Sequence, residues 1–372
     1  MKRIVNRVLL ALLTVSILLG ATVYVQFVLL RGRTPAIEGD RSIASLEEVE
    51  LEGAKQWVLI RGRDRRNPVL LWLHGGPGMP AMYLAHAFQR QMERDFVIVQ
   101  WDRLGAGKSY ASAGDASLSV SGRLSDTIEL TRLLRERFGQ DRIYLLGHSW
   151  GSYLGLLAAH AHPEYYRAFV GTGVIAGTRA GADSLRRRWL RARAEESQDS
   201  TLLAGLVAGE DVTETDVFRY GGSLTGARSF WPLLRIGLAA PEYTLFDALA
   251  VRKGVQLVHE RMQYDVVPAP LEGEYDDFAV PIAFFLGRHD YTTPSQLAAE
   301  YLQRIEAPYR ETVWFEESAH FPFLSQPERF HEKLVDLEAR IRELELARPG
   351  GATVGQASSA PRSFSSSRST DR

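Results

Sequence analysis

The feature that most constrains the fold of this chain is a series of short, almost wholly apolar runs that alternate with stretches of helical spacing. Such runs are typical of strands buried on both faces of a parallel sheet. They predict strands at Trp57–Arg61, Val69–His74, Phe96–Trp101, Ile143–Gly147, Ala168–Gly173, Pro281–Gly287 and Thr312–Phe315. The intervening spacing predicts helices at Met82–Arg94, Ser125–Phe138, Ser149–Ala161, Pro294–Arg304 and Pro327–Glu345. The alternation therefore indicates an α/β fold, a mostly parallel central sheet flanked by helices.

One long segment, residues 177–278, interrupts this alternation without a clear buried strand. Helical spacing is found there at Ser184–Glu196, Leu202–Ala208, Phe230–Leu238 and Ala248–Met262. An insertion of this length is rarely a bare loop, so we expect a helical cap over the ligand-binding edge of the sheet. Residues 34–176 and 279–346 then form the catalytic core.

The two ends of the chain differ from this body. Residues 1–33 carry a charge of +5 and contain 23 uncharged residues in a row, from Val8 to Leu30. That run is long enough to cross a bilayer and has no convincing cleavage site, so we predict an uncleaved signal anchor, with a cleaved signal peptide as the alternative. The flanking cations slightly favour a single-pass protein whose catalytic domain is extracytoplasmic. The Ser- and Arg-rich residues 347–372 are predicted to be disordered.

Charge and cysteine content exclude several functions. The net charge is −1, which leaves −9 on the body between two basic ends, so nothing indicates a nucleic-acid partner. The chain has no cysteine, which excludes thiolate nucleophiles, disulfides and Cys-ligated metals. No cofactor and no metal are expected.

The strongest catalytic signal is the segment from Gly147 to Gly151, G-H-S-W-G, between an apolar strand and an apolar helix. A sharp strand-to-helix turn of this kind raises a serine hydroxyl above the sheet, which makes Ser149 the candidate nucleophile.

A second signal, H-G-G-P-G from His74 to Gly78, ends the strand that starts at Val69. A Gly/Pro turn without chemistry is one interpretation. The functional one is an oxyanion hole, in which a glycine amide and the Trp150 amide stabilise the developing negative charge.

A serine nucleophile needs a base and an orienting acid, in the chain order Ser, Asp, His for this architecture. Among nine histidines, His320 differs in following the last predicted strand on a loop before the terminal helix. Asp290 follows the strand Pro281–Gly287. Both lie at the carboxyl ends of strands, where open α/β sheets bind ligands.

Together, LHGGPG (73–78), QWDRLGAGKS (100–109), GHSWGS (147–152), GRHD (287–290) and AHFP (319–322) resemble the α/β-hydrolase superfamily. Within it, the chain is most similar to the proline iminopeptidases, over roughly residues 45–175 and 278–340. The resemblance implies Ser149 as nucleophile, Asp290 as orienting acid and His320 as base. It implies the Gly76 and Trp150 amides as oxyanion donors, with Gly75 as another candidate.

Two departures from that family bear on specificity. Relatives carry Asp-Gln-Arg-Gly where this chain has Asp102-Arg103-Leu104-Gly105. Proline-specific aminopeptidases also use cap acids near a Trp-rich stretch to hold the substrate amine. Here Trp189 is followed by Arg191, Arg193, Glu195 and Glu196, which does not match that pattern.

The sequence thus predicts a membrane-tethered serine hydrolase that acts on a small molecule or a short peptide. Release of N-terminal residues is favoured, and a carboxylesterase or lactonase is the alternative. An inactive binding module on the same fold is the remaining hypothesis.

Overall fold

A single mixed sheet forms the centre of the structure, a computed structural model that describes residues 2–25, 31–114, 118–262 and 271–347. Its strands are β1 (Ile43–Leu51), β2 (Ala54–Gly62), β3 (Val69–Leu73), β4 (Val97–Asp102), β5 (Ile143–His148), β6 (Tyr166–Thr172), β7 (Ile282–Gly287) and β8 (Arg310–Phe315). They lie in the order β1-β2-β4-β3-β5-β6-β7-β8. Only the pairs β1–β2 and β2–β4 are antiparallel. The predicted mostly parallel sheet is confirmed, and β1 is a strand that the sequence patterns did not indicate.

Helices cover both faces of this sheet, as its apolar strands require. The helices of the described chain, including those that do not touch the sheet, are α1 (Lys2–Tyr24), α2 (Ala85–Phe88), α3 (Val120–Phe138), α4 (Trp150–Ala161), α5 (Arg179–Ser197), α6 (Ser200–Ala208), α7 (Glu214–Arg219), α8 (Trp231–Ala239), α9 (Leu245–Arg261), α10 (Ser295–Arg304), α11 (Pro322–Ser325) and α12 (Pro327–Leu346). Alternate residues of β3 show the two layers. Leu71 packs in the apolar cluster that includes α3, α4 and α10, whereas Leu70 and Trp72 pack in the cluster that includes α12.

The predicted helix Met82–Arg94 is wrong as a continuous element. The chain forms a 3-10 turn at Met82–Leu84, then α2, then a 3-10 helix at Gln89–Arg94. Gln89 and Glu93 are buried there, and Glu93 binds Arg61 on β2. These long-range polar contacts favour a different local geometry from the one that helical spacing alone predicts.

Helices α5 to α9 occupy residues 179–261, between β6 and β7, within the segment predicted to be a cap. The short α7 was not predicted. The inner side of α9 touches the loops of the core, since a Cβ on Gly254 would lie 2.5 Å from the Gly105 carbonyl oxygen. The predicted tail beyond Ala347 lies outside the described residues.

The candidate catalytic residues all follow strands at one edge of the sheet. Ser149 follows β5, Asp290 comes after β7, and His320 comes after β8. The H-G-G-P-G segment follows β3, the neighbour of β5. In a parallel sheet these carboxyl ends meet at the same edge, which is the position of ligand sites in open α/β folds.

Candidate active site

Ser149 occupies a strained turn between β5 and α4. Its φ is 54° and its ψ is −124°, a backbone conformation that residues other than glycine rarely adopt. The flanking glycines are required by space. A Cβ on Gly147 would lie 2.3 Å from the Gly151 carbonyl oxygen, and one on Gly151 would lie 2.1 Å from the Leu73 carbonyl oxygen. The G-x-S-x-G spacing therefore has a steric basis in this fold.

His320 and Asp290 are brought together by the loops after β8 and β7. The His320 Nδ1 and Asp290 Oδ2 atoms are 2.8 Å apart, and both side chains are buried. With Nδ1 bound to the carboxylate, Nε2 is the other ring nitrogen that can exchange a proton.

Thr293 fixes the orientation of Asp290, and the sequence patterns did not single it out. Its backbone amide donates to Asp290 Oδ1 at 2.9 Å, and its hydroxyl donates to Asp290 Oδ2 at 3.0 Å. The signal was present in the tripeptide Tyr291-Thr292-Thr293, directly after the candidate acid. A Thr in that position commonly bonds a preceding Asp side chain in a turn.

Gly173 makes room for the imidazole next to the end of β6. It has a φ of +54°, and a Cβ at this position would lie 2.6 Å from His320 Cε1. The preceding residue, Thr172, accepts a 2.9 Å hydrogen bond from the Ser149 amide through its carbonyl. Two consecutive residues at the end of β6 thus contact the serine turn and the histidine ring: Thr172 bonds Ser149, and Gly173 lies beside His320.

The H-G-G-P-G loop passes directly beside the serine. A Cβ on Gly75 would lie 2.9 Å from Ser149 Cβ and 3.4 Å from Ser149 Oγ, so only glycine permits this approach. Gly76, with a φ of +113°, continues the turn. Trp150 begins α4, and its amide lies at a helix N-terminus, which favours negative charge nearby. Gly75 therefore lies against Ser149, Gly76 follows it in the chain, and Trp150 directly follows the serine.

Arg103 donates hydrogen bonds to carbonyl oxygens of this loop, a role that the sequence patterns did not indicate. Its Nη2 lies 2.5 Å from the His74 carbonyl oxygen, 3.2 Å from that of Gly75 and 3.1 Å from that of Pro77. The guanidinium also lies 4.9 Å from the centre of the Trp150 ring. The side chain is fully buried, and burial lowers its pKa well below the ordinary value. The Asp-Arg-Leu-Gly departure was the signal that this position is special.

Asp102, at the end of β4, connects the core to the cap. Its Oδ2 accepts from the Tyr243 hydroxyl and, at 2.8 Å, from the Lys108 amide. Complete burial raises the pKa of Asp102 to about 7. Lys108 in turn binds Asp247 on α9 at 2.9 Å.

Two other buried histidines are placed to remain neutral. His148, whose Nε2 lies 3.0 Å from the His320 carbonyl oxygen, has its pKa lowered well below the usual value by burial and by His320. Burial and Arg103 lower the pKa of His74 in the same way. Within the part of the chain that the structure describes, no three His, Asp or Glu side chains cluster as metal ligands would.

With this geometry in place, comparison with known proteins shows a consistent set of similarities. Residues 70–333 match the model of a family described as the alpha/beta hydrolase family. The probable aminopeptidase YbaC of Bacillus subtilis (strain 168) is 28% identical over 307 residues, 79% of this chain and 96% of that protein. A probable proline iminopeptidase of Streptomyces coelicolor is 39% identical over 129 residues, 34% of this chain and 38% of that protein.

A likeness of fold accompanies these sequence matches. The crystal structure of proline iminopeptidase from Mycobacterium smegmatis superposes with a TM-score of 0.58 at 19% identity, covering 82% of this chain and 99% of that one. At that identity the likeness concerns the fold alone.

Proposed function

The chain belongs to the alpha/beta hydrolase family, and from that premise we propose that it is a serine hydrolase whose triad is Ser149, Asp290 and His320. One observation carries the proposal. The buried 2.8 Å contact between His320 Nδ1 and Asp290 Oδ2 stands at the same sheet edge as a serine on a strained strand-to-helix turn. Nucleophile, base and orienting acid in this order are the requirements of acyl transfer on such a fold.

In the proposed reaction, Ser149 Oγ attacks the substrate carbonyl while His320 Nε2 takes its proton. Asp290 holds the Nδ1–H and stabilises the imidazolium. The amides of Gly76 and Trp150, with Gly75 beside them, donate to the oxyanion of the tetrahedral intermediate. His320 then returns the proton to the leaving group, and an acyl-enzyme forms. Water, deprotonated by the same histidine, attacks the ester and releases the acid and Ser149.

For the substrate, we favour a short peptide from which the N-terminal residue, including proline, is released. The names of the two relatives above support this choice. The −9 charge of the body would modestly favour a ligand with a free amine.

A carboxylic ester or lactone is the second candidate, and the cap supplies its support. The Trp189 ring stacks on Tyr291, with centres 4.2 Å apart, so it is engaged in packing. Glu195 is exposed, and Glu196 forms an exposed ion pair with Arg193. Neither Glu195 nor Glu196 is enclosed as an amine-binding group would be.

A panel of substrates separates the candidates. The full chain, purified in detergent, is assayed with prolyl and other aminoacyl arylamides and with short acyl esters, and Ser149→Ala is the matched control. Arylamide cleavage that disappears in S149A is expected. Ester turnover without any arylamide cleavage would reject the aminopeptidase in favour of the esterase, and no turnover of either class would favour the inactive binding module.

We also propose that the N-terminal segment tethers the enzyme to a membrane as a single-pass anchor, with the catalytic domain extracytoplasmic. Residues Arg3–Thr22 of α1 form a helix long and apolar enough to span a bilayer, a property that a signal sequence shares. None of that helix is buried against the rest of the described protein.

A further inference from the structure

An exposed apolar surface lies on the cap, on helices α8 and α9. We define the α8–α9 patch as Phe230, Trp231, Leu234, Leu238, Leu245, Phe246 and Leu249, all at least 36% exposed. Among the described residues after Arg31, only Met79, Val207 and Leu346 are further large apolar side chains with such exposure. Single exposed apolar residues are ordinary, whereas a cluster that includes aromatic rings marks a surface with a partner.

Other sides of these two helices are already occupied by the core. Leu233 of α8 is buried in an apolar core cluster, and a Cβ on Gly254 of α9 would lie 2.5 Å from the Gly105 carbonyl oxygen. Val258 of α9 is buried beside Gly78. The patch is therefore the outer side of two helices that already pack on the core through other residues.

The first described residues after the apolar N-terminal run are bound beside this patch. Arg31 carries the first charge after that run. Its guanidinium donates to the carbonyl oxygens of Leu238 and, at 3.3 Å, Ala240, at the end of α8. The Gly32 amide donates to the Pro241 carbonyl at 2.9 Å. The point at which an anchor would emerge from a bilayer is thus bound to the junction of α8 and α9.

The charges around the patch suit an anionic lipid surface. Four cationic side chains between residues 228 and 253 are exposed, and none of them forms an ion pair among the described residues. They are Arg228, Arg235, Arg252 and Lys253. The two acids of the same segment are engaged elsewhere: Glu242 is buried against Thr34, and Asp247 binds Lys108. A cationic rim around Trp, Phe and Leu side chains is the chemistry of a protein face that rests in the headgroup region.

We propose that the α8–α9 patch docks onto the surface of the same bilayer that α1 crosses, so that the cap rests on lipid. This inference rests on the proposed tether, and it adds the orientation of the catalytic domain relative to the membrane.

The absence of cysteine permits a direct test on the full chain. Phe246→Cys and Leu234→Cys, on the patch, and Val207→Cys, an exposed apolar control on α6, are each labelled with a polarity-sensitive fluorophore. Each protein is reconstituted into vesicles of phosphatidylcholine and phosphatidylglycerol, with or without brominated lipid as quencher. Far-UV circular dichroism checks that every labelled variant is folded.

We expect blue-shifted emission and quenching by brominated lipid at positions 234 and 246, and neither effect at 207. Flotation of the vesicles reports the tether separately. Protein that floats while all three labels behave alike would overturn docking and leave the tether intact, whereas protein that does not float would overturn both. Spin labels at 246 that report a short distance between two copies would show that a second copy of the chain covers the patch, which also overturns docking onto lipid.

Discussion

Arg103 illustrates how a single side chain can set the geometry next to the proposed nucleophile. One of its nitrogens donates to three carbonyl oxygens of the H-G-G-P-G loop, which belong to residues on both sides of the proposed oxyanion donor Gly76. Without a donor, buried carbonyls cost about 1–3 kcal/mol each, so the loop would rearrange to satisfy them.

Arg103→Ala is therefore expected to lower the free energy of unfolding by about 2–4 kcal/mol and kcat by up to about 100-fold. Arg103→Lys, which retains a cation and three N–H donors, should retain more of both. Urea unfolding and steady-state kinetics on a cleaved substrate measure the two effects. Equal kcat in the wild type and both variants would show that the loop does not depend on Arg103.

Gly173→Ala tests the position of the imidazole. The new Cβ would lie 2.6 Å from His320 Cε1, so the ring must shift away from its place beside Asp290. We expect a fall in kcat that exceeds any change in KM. Gly139→Ala is the matched control, because Gly139 also has a positive φ, +61°, but no neighbouring atom within 4 Å. Both variants should lose about 1–2 kcal/mol of stability from backbone strain, and only G173A should lose activity.

At this scale the sequence could indicate the proposed triad but not its supports. Ser149, Asp290 and His320 each follow an apolar strand, and that local pattern is readable. Thr293 bonds Asp290 within one turn, a local signal that apolar periodicity does not show, whereas Arg103 acts through hydrogen bonds whose partners depend on how β3 and β4 are placed. Such contacts are set by the tertiary structure, which local periodicity does not encode.

At the scale of elements, the contact between Asp102 after β4 and Tyr243 before α9 connects core and cap. Burial raises the pKa of Asp102 to about 7, whereas an unfolded aspartate titrates near 3.9. Between about pH 4 and pH 7 the folded state therefore holds a proton that the unfolded state has lost, and this group makes stability fall as pH rises.

Asp102→Asn removes that proton while leaving an oxygen to accept from Lys108 and Tyr243. Between pH 5 and pH 8 the free energy of unfolding should fall further in the wild type than in D102N. We expect the difference to be on the order of a few kcal/mol. Denaturant midpoints at both pH values supply the comparison. The neutral buried His74 and His148 act in the opposite direction on acidification, but equally in both proteins. A pH dependence that is identical in the two proteins would contradict the proposed protonation.

Strands that are buried on both faces were predictable from the sequence, whereas the edge strand and the shortest helices were not. Each strand indicated by a near-continuous apolar run is present, whereas β1 was missed because it lies at the sheet edge and carries Glu47, Glu48 and Glu50. Only one face of such a strand needs apolar residues. The sequence patterns also did not predict the short helices α7 and α11, because one or two turns contain too few residues to show a helical period.

At the scale of the whole molecule, the charge balance of the sequence separates an acidic body from two basic ends. The N-terminal end contains α1, and the apolar run of the sequence continues to Leu30, past the last residue of that helix. The fold of the body follows from its own residues, while the proposed tether depends on this N-terminal segment.

Leu13→Arg tests the anchor. A charge at the centre of a spanning helix costs about 2.5–3.5 kcal/mol by insertion scales, so the variant should leave the membrane fraction in alkaline carbonate, whereas the wild type stays. Val207→Arg, at an exposed cap position, should behave as the wild type does. Intact mass measurement distinguishes the alternative: loss of the first residues from the mature protein would show a cleaved signal peptide.

The most direct test of the central claim is reaction of the folded full chain with a fluorophosphonate, followed by mass spectrometry of its peptides. The account predicts a single adduct on Ser149, absent in Ser149→Ala and strongly slowed in His320→Ala, because the base activates the hydroxyl. Folded protein that shows no adduct, or that carries it on another serine, would contradict the account.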